Sequence, residues 1–213
     1  MSRDYIPALG YRWLTPAYDA AVALTTRERT FKRALIEQAK LQAQERVLDL
    51  ACGTATLTIM AKRDEPTAEL TGIDGDPQML KRACRKADQA GLRIRFDRGM
   101  SDQLPYADGA FDKVISSLFF HHLQRDGKLA TLTEVRRVLK ERGTLHVADW
   151  GKAANPLMRA AFLGIQLLDG FPNTSDNVAG RLPDFMREAG FSRVEETRRF
   201  STVFGTLSLY RAA

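Results

Sequence analysis

Small residues after one predicted strand, and a carboxylate at the end of the next, are the residues whose spacing best suits chemistry. Residues 47–50 form an apolar run broken only by Asp49, and small side chains follow at once. Such side chains let backbone N–H groups approach a ligand closely. Asp74 ends the next apolar run, where a carboxylate can accept hydrogen bonds from ribose hydroxyls. This order of strand, loop, helix and strand predicts a nucleoside-binding unit. Its loop residues are Ala51, Cys52, Gly53 and Thr54.

Asp49 narrows the choice of nucleoside. A carboxylate inside the first strand, just before the loop, would repel a pyrophosphate and suits a ligand with a positive charge or an amino group. A nicotinamide oxidoreductase should instead show Gly-x-Gly-x-x-Gly with no acid in that strand. An NAD-type oxidoreductase is therefore disfavoured. A non-catalytic nucleoside-binding or RNA-binding protein stays open as an alternative.

Five blocks along the chain resemble, in order, the class I S-adenosylmethionine-dependent methyltransferases. The first two read Leu-Asp-Leu-Ala-Cys-Gly-Thr at 48–54 and Gly-Ile-Asp-Gly-Asp-Pro-Gln-Met-Leu at 72–80, and the others lie at 104–114, 121–123 and 134–140. Within that class, the chain is most similar to the ubiquinone/menaquinone C-methyltransferase branch. The resemblance implies S-adenosyl-L-methionine as the cofactor and a small molecule as the methyl acceptor. A quinone-like or otherwise apolar acceptor suits the apolar segment 155–168, and a small polar metabolite, phenol or thiol stays open.

The resemblance also implies roles for residues of the cofactor site. Asp49 would lie near the cofactor's amino group, Asp74 would hold the ribose, and Tyr18 would close over the site as part of a lid. Three positions depart from the family: alanine stands at 51 and 55 where glycine is usual, and Met100 stands where an acid usually accepts from the adenine amine. Ser101, Asp102 or the backbone must then recognise that amine. The other expected cofactor contacts are Gly75, Met79 and Ser116, together with the loop residues.

Histidines near the fourth and fifth strands are candidates for proton transfer. His121 and His122 follow the fourth predicted strand, and Asp149 ends the fifth. A histidine there could take a proton from an oxygen, sulfur or carbon acid, with activity rising around a pKa of roughly 6 to 7. Both histidines could instead be structural, and His146, within the fifth strand, is expected to be a core group. Cys52 is expected to be a small structural residue.

Composition excludes several classes of protein. The chain has 213 residues, 44% of them hydrophobic and 27% charged, which is ordinary for a soluble globular protein. No apolar run is long enough to span a membrane, and no signal peptide is evident. Two cysteines cannot build a zinc site or a disulfide framework. These features predict a cytoplasmic protein without a metal, as a monomer or homodimer.

The charge of +6 and the pI near 9.5 invite a nucleic-acid function. The basic residues are scattered and flanked by acids, however, and the Asn- or Asp-Pro-Pro-aromatic motif of base methyltransferases is absent where the fourth strand ends. Nucleic acid is therefore an unlikely substrate.

Alternation of apolar runs with helical patterns predicts an α/β fold, and Asp76 before Pro77 predicts a helix N-cap. The expected strands lie at 46–50, 69–74, 93–97, 113–116, 144–149, 194–202 and 206–211. We expect a Rossmann-like, seven-stranded, mostly parallel sheet with helices on both faces and a C-terminal antiparallel hairpin. A single domain should comprise a helical lid at 1–44, a cofactor-binding core at 45–150, a substrate cover at 151–190 and the hairpin at 191–213. Within the cover, the apolar segment 155–168 could be core, the wall of the substrate pocket, or a dimer or membrane contact.

Overall fold

The computed structural model describes residues 28–169 and 171–213. Tyr18 and most of the predicted lid therefore lie outside the described residues. The helices are α1 (Glu28–Ala39), α2 (Thr56–Asp64), α3 (Pro77–Gln89), α4 (Arg125–Val138), α5 (Pro156–Asp169), α6 (Phe171–Val178) and α7 (Leu182–Glu188), with a 3₁₀ turn at Phe120–His122. The strands are β1 (Arg46–Leu50), β2 (Glu69–Asp74), β3 (Arg95–Arg98), β4 (Phe111–Ser117), β5 (Leu139–Trp150), β6 (Val194–Thr202) and β7 (Gly205–Ala212).

All seven strands form one sheet in the order β3-β2-β1-β4-β5-β7-β6. The first five strands are parallel, and β7 pairs antiparallel with both β5 and β6. This confirms the predicted Rossmann-like α/β fold and its C-terminal hairpin. The strand order reverses between β1 and β4, and ligands of such sheets bind beyond the carboxyl ends of the strands at that point.

Local chemistry sets several of the helix boundaries. Asp76 caps α3 by accepting from the backbone N–H of Gln78 at 2.7 Å, and Pro77 occupies the first turn, where its missing N–H costs nothing. Asn155 caps α5 in the same way, because its side-chain oxygen accepts from the backbone N–H of Met158 at 2.9 Å. These polar caps are visible in the sequence.

The observed bounds of β3, β4, β5 and β7 differ from the predicted ones. The predicted strands at 46–50, 69–74 and 194–202 are confirmed, whereas the third spans 95–98 rather than 93–97, the fourth 111–117 rather than 113–116, and the last 205–212 rather than 206–211. β5 begins at Leu139, directly after α4, although the predicted strand begins at 144. The pairing of β5 with β4 shifts register between Leu139 and Thr144, and the charged residues at 140–142 are exposed.

Side chains from the two faces of the sheet form two separate buried clusters. One contains Leu48, Val114 and Leu145 and is covered by α4 and α7. The other contains Val47, Ile115 and Trp150 and is covered by α1. Because both faces are buried, the central strands are apolar along their length. The packing fixes the carboxyl ends of β1, β2, β4 and β5 side by side.

Candidate active site

The loop after β1 is tied to the second strand by backbone bonds. The Cys52 N–H donates to the carbonyl of Ile73 at 2.9 Å, and the Gly53 N–H donates to Oδ2 of Asp74 at 2.8 Å. Within the loop, the Ala55 N–H donates to the carbonyl of Cys52 at 2.9 Å. The sequence-predicted residues of loop and second strand therefore meet in one place.

Three residues of this loop have left-handed backbone conformations. The φ angles are 55° at Ala51, 55° at Gly53 and 61° at Ala55. For an alanine this conformation costs about 1–2 kcal/mol, whereas glycine adopts it freely. The two departures from the family's glycines are therefore strained rather than accommodated by another turn. A Cβ built on Gly53 meets nothing within 4 Å, so the loop leaves open space there.

Asp49 caps the first turn of α2 and is almost completely buried. Its Oδ2 accepts from the Thr58 hydroxyl at 2.5 Å, and the Thr58 backbone N–H also donates to it. Burial raises the pKa of Asp49 to about 7, although the bonds from Thr58 and the charge of Lys32 act in the opposite direction. A cation that approached Asp49 would favour its charged form.

Both carboxylate oxygens of Asp74 accept backbone bonds, and the Gly75 N–H also donates to the carboxylate. Oδ2 receives the Gly53 N–H, and Oδ1 receives the Asp76 N–H at 2.9 Å. Burial raises the pKa of Asp74 against these bonds. A carboxylate has about four lone-pair sites, so the group can still accept from a ribose hydroxyl. Asp74 thus shapes the loop and can also bind a ligand.

The Cys52 thiol is buried and packs toward Gly72, where an added Cβ would lie 2.9 Å from its sulfur. Burial raises the pKa of this thiol, and the charges of Asp49 and Asp74 raise it further. The thiol therefore stays protonated and is a poor nucleophile. Its environment agrees with the structural role expected for it.

The remaining predicted cofactor residues lie around the same strand ends and differ in exposure and in the hydrogen bonds they already make. Gly75, Met79 and Thr54 are half-buried, and Met100 is 46% exposed. The Ser101 hydroxyl is bonded to that of Thr131 on α4 at 2.8 Å, so it is already engaged. Ser116 is buried and donates to the carbonyl of Leu50 at 3.0 Å, which joins β4 to β1. How the adenine amine would be recognised stays a prediction about Asp102 or the backbone.

Asp149 organises the turn that follows β4. Its Oδ1 lies 2.7 Å from Nδ1 of His121 and accepts from the Trp150 N–H at 2.7 Å, while its Oδ2 accepts from the Phe119 N–H at 3.1 Å. Burial by itself raises the pKa of Asp149, but the His121 ring and these bonds outweigh it and hold the pKa below its usual value. The pair is the arrangement in which a carboxylate orients an imidazole.

His122 differs from its neighbour. Its ring stacks on that of His121 with centroids 3.9 Å apart. Burial lowers the pKa of His122 to about 3, with a further contribution from His121. This direction favours the neutral form of His122 at pH 7 and disfavours it as the source of an activity limb near pH 6 to 7. Which histidine acts as the base stays a prediction. His146 lies elsewhere, between Gln38 and Thr144 at 3.1 and 3.0 Å, as a hydrogen-bonded core group.

Aromatic and polar side chains of the predicted substrate cover pack on the end of β5. The Trp150 ring meets Phe162 of α5 at 5.4 Å and His121 at 6.4 Å, both edge to face. Asn177 of α6 is buried, and its amide nitrogen donates to the Trp150 carbonyl at 3.1 Å. Part of the cover therefore lies directly against the His121–Asp149 pair.

Sequence reasoning missed the residues that attach this cover. Lys128 is completely buried, and its ammonium donates to the carbonyls of Leu123 at 2.7 Å and Asn173 at 2.6 Å. Burial lowers its pKa. Lys128 thereby joins α4, the 3₁₀ turn and α6. Its ammonium also lies 3.9 Å from Oδ2 of Asp176. Nothing in the sequence distinguishes Lys128 from the other lysines, because the packing of α6 brings Asn173 and Asp176 to it.

The described ranges, 28–169 and 171–213, contain neither a membrane-spanning helix nor a cluster of metal ligands. No helix there is long and apolar enough to cross a bilayer. No group of three or more potential ligands there could hold a metal ion.

Comparison with known proteins identifies the family. A family profile described as "Methyltransferase domain" matches residues 47–143. The chain is 37% identical over 139 residues to a demethylmenaquinone methyltransferase of Thermus thermophilus, a match that covers 64% of this chain and 62% of that protein. It is 30% identical over 169 residues to the ubiquinone/menaquinone biosynthesis C-methyltransferase UbiE of Syntrophotalea carbinolica, covering 76% and 70%. The chain thus spans less than two thirds of the Thermus relative.

A solved structure supports the fold. The SAM-dependent methyltransferase of Aquifex aeolicus superposes with a TM-score of 0.64 at 18% identity, over 85% of this chain and 88% of that one. The chain belongs to the class I S-adenosylmethionine-dependent methyltransferases, and its relatives place it in the branch that includes the ubiquinone/menaquinone C-methyltransferases.

S-adenosylmethionine is the cofactor of this family, and the residues present fit it. Open space at Gly53 lies beside the Asp74 carboxylate, and the buried Asp49 provides a negative charge for an amino group. The assignments of Asp49 to the amino group and of Asp74 to the ribose remain expectations from the resemblance.

Proposed function

We propose that this chain methylates a ring carbon of a hydroxylated, apolar aromatic acceptor of the quinol type. The His121–Asp149 pair supports the proposal most strongly, because it lies at the carboxyl end of the sheet next to the nucleoside loop. The names of the relatives support the choice of acceptor, since demethylmenaquinone is a naphthoquinone that lacks one ring methyl group.

The chain's residues would bind, orient and move one proton. Bound S-adenosylmethionine supplies a methyl group activated by the sulfonium charge. His121 would accept the proton of the acceptor hydroxyl next to the reacting carbon, which makes that carbon a better nucleophile. A carbon–carbon bond then forms as the sulfur–methyl bond breaks, and the ring carbon finally loses its hydrogen as a proton. The sum is a methylated quinol, S-adenosylhomocysteine and one proton, with no oxidant required.

His121 is a better candidate base than His122. Asp149 holds Nδ1 of His121, which fixes the ring and would stabilise the imidazolium formed by proton transfer. Burial lowers the pKa of His122 to about 3, which makes it a weak base. We assign His122 a packing role against the ring of His121. Asp149 would act as a positioning residue.

The acceptor would lie beneath the cover, where Trp150 at the end of β5 meets Phe162 of α5. Aromatic side chains suit a planar apolar ring. The 1–44 segment as a lid and 151–190 as the cover remain predictions that accompany this proposal. The apolar segment 155–168 would then be partly pocket wall and partly core.

Two measurements test the proposal in sequence. Calorimetry of the purified protein should show binding of S-adenosylmethionine and no binding of NAD. Anaerobic incubation with S-adenosylmethionine and a short-chain prenylated naphthalene-1,4-diol should then give a product one methylene heavier, with the new methyl group on ring carbon by NMR. Binding of NAD alone would contradict the family assignment, and a methyl ether product would contradict carbon methylation.

A further inference from the structure

Asn177 contains a buried oxygen that the fold leaves without a partner. The residue has no exposed surface, and its amide nitrogen is committed to the Trp150 carbonyl at 3.1 Å. Within the described part of the chain, Oδ1 has no hydrogen-bond partner. Exchanging the amide's oxygen and nitrogen would bring two acceptors together at Trp150, so the assignment of the two atoms is fixed.

An unpaired buried hydrogen-bond acceptor is unusual in a native structure. Native structures pair nearly all such atoms, because leaving one unpaired loses the hydrogen bond it made to water. Gln166 in the neighbouring helix α5 provides a comparison. It is equally buried, and its amide is satisfied at both ends by Arg159 at 2.8 Å and Thr174 at 3.2 Å. The cover can therefore satisfy a buried amide fully, and at Asn177 it does not.

The position of Asn177 indicates what the missing donor would be. Its amide is bonded to Trp150, the residue directly after Asp149, and the Trp150 ring meets that of His121. Helix α6 also contacts the 3₁₀ turn that contains both histidines. The unpaired oxygen thus lies at the same end of β5 as the proposed base. While the methyl acceptor is bound, the hydrogen-bond donor to this oxygen would be a group of that molecule.

We propose that Oδ1 of Asn177 accepts a hydrogen bond from a hydroxyl of the methyl acceptor. This inference rests on the proposed function and deepens it. A quinol has two hydroxyls: His121 would deprotonate the one next to the reacting carbon, and Asn177 would hold the other in its neutral form. Two polar contacts at opposite sides of a planar ring determine which ring carbon faces the methyl group. Asn177 is therefore a specificity-determining residue for acceptors with two hydroxyls.

The test compares two acceptors in several variants. One probe is a short-chain prenylated naphthalene-1,4-diol. The other is its monomethyl ether, in which the oxygen beside the prenyl-bearing carbon carries a methyl group and cannot donate a hydrogen bond. Wild-type protein should prefer the diol by about 5- to 100-fold in kcat/KM, the range for a hydroxyl read by a buried polar group. Asn177→Leu should reduce that preference to within about twofold, with an unchanged dissociation constant for S-adenosylmethionine.

Matched controls separate recognition from folding. Gln166→Leu removes an equally buried amide from the same cover and should lower thermal stability while the preference for the diol remains. Asn177→Ala serves if the leucine variant does not fold. Dissociation constants of both probes, measured with S-adenosylhomocysteine bound, should show the same preference as turnover.

Each outcome decides the assignment. An Asn177→Leu variant that keeps the wild-type preference overturns it, and so does a wild type that does not distinguish the probes. If wild type turns over neither probe but binds the diol more tightly than the ether, the proposed reaction fails and the Asn177 assignment stands. If it neither turns over nor distinguishes them, both fail.

Discussion

The two halves of the site are built in different ways. In the cofactor half, the contacts stay within one strand–helix–strand unit: Asp49 with Thr58, and Asp74 with Gly53 and Asp76. In the acceptor half, the contacts join separate units of the fold: Asp149 with the turn after β4, and Trp150 with α6. Contacts within one such unit leave a recognisable motif in the sequence, whereas contacts between separate units do not.

The halves also differ in what their polar groups do before any ligand binds. The cofactor half holds two carboxylates whose pKa values are raised by burial, so both gain from an incoming cation or donor. The acceptor half holds an Asp149 whose pKa is lowered, because it already has a partner in His121. The carboxylates of the cofactor half can thus bind an incoming cation or donor. The carboxylate of the acceptor half already holds the His121 ring, as the proposed base would require.

The largest expected effect tests the acceptor half. His121→Ala should lower turnover roughly 10²- to 10⁴-fold while the affinity for S-adenosylmethionine stays unchanged, because the proposed base is lost and the cofactor contacts are not. Steady-state kinetics and calorimetry on the same preparation measure both. His122→Ala is the matched control and should lose much less. Equal turnover in both variants and the wild type would mean that proximity alone accounts for the reaction.

The next largest effect is the pH dependence of the free energy of unfolding that Asp49 causes. The folded pKa of Asp49 is raised, so its contribution to the free energy of unfolding is full below pH 3.8 and is lost as the pH rises through about 7. That shift corresponds to roughly 4 kcal/mol at most. Asp49→Asn should therefore unfold at higher denaturant concentration than wild type at pH 8 and at a similar concentration at pH 4.

The same substitution should weaken S-adenosylmethionine binding, since a cationic amino group loses its carboxylate. Binding to wild type near pH 7 should release protons, which calorimetry in buffers of different ionisation enthalpy detects. Asp49→Asn should release none from this site. A wild-type stability that is flat between pH 4 and 8 would contradict the burial argument.

Asp74→Ala should cost both binding and stability. Loss of hydrogen bonds to a charged acceptor should weaken S-adenosylmethionine binding by roughly 1.5–3 kcal/mol. The sequence alone suggests no cost in folding, but the Gly53 and Asp76 N–H groups lose their acceptor, so thermal stability should also fall. Asp74→Asn keeps an acceptor oxygen, so its cofactor affinity and thermal stability should lie between those of the wild type and of Asp74→Ala. Unchanged affinity in a folded Asp74→Ala protein would refute the ribose role.

The smallest effect tests the strain in the loop. Ala51→Gly should stabilise the protein by about 0.5–1 kcal/mol, because glycine adopts a φ of 55° without a steric cost. Ala55→Gly should gain less, since its methyl group is buried against Ile59. Ala61→Gly, inside α2, is the control of opposite sign and should destabilise by about 1 kcal/mol. Chemical denaturation measures all three, and destabilisation by Ala51→Gly would contradict the left-handed assignment.

Much of the cofactor half could be predicted from the sequence. The strands at 46–50 and 69–74, the cap at Asp76 and the closeness of Asp74 to the loop all follow from apolar runs, small residues and polar caps, and the structure confirms them. The sequence left open whether Ala51 and Ala55 would change the turn. The backbone keeps the left-handed turn because the bonds from Cys52 and Gly53 to the second strand require it.

Only the tertiary structure decided the roles in the acceptor half. The sequence offered His121, His122 and Asp149 as equal candidates, and the pairing of His121 with Asp149 separated them. Lys128 and Asn177 carry no motif, because each acts on main-chain atoms of a remote segment. A residue type at a given spacing determines which local bonds can form. Which buried group finds a partner, and which is left without one, depends on how distant segments pack.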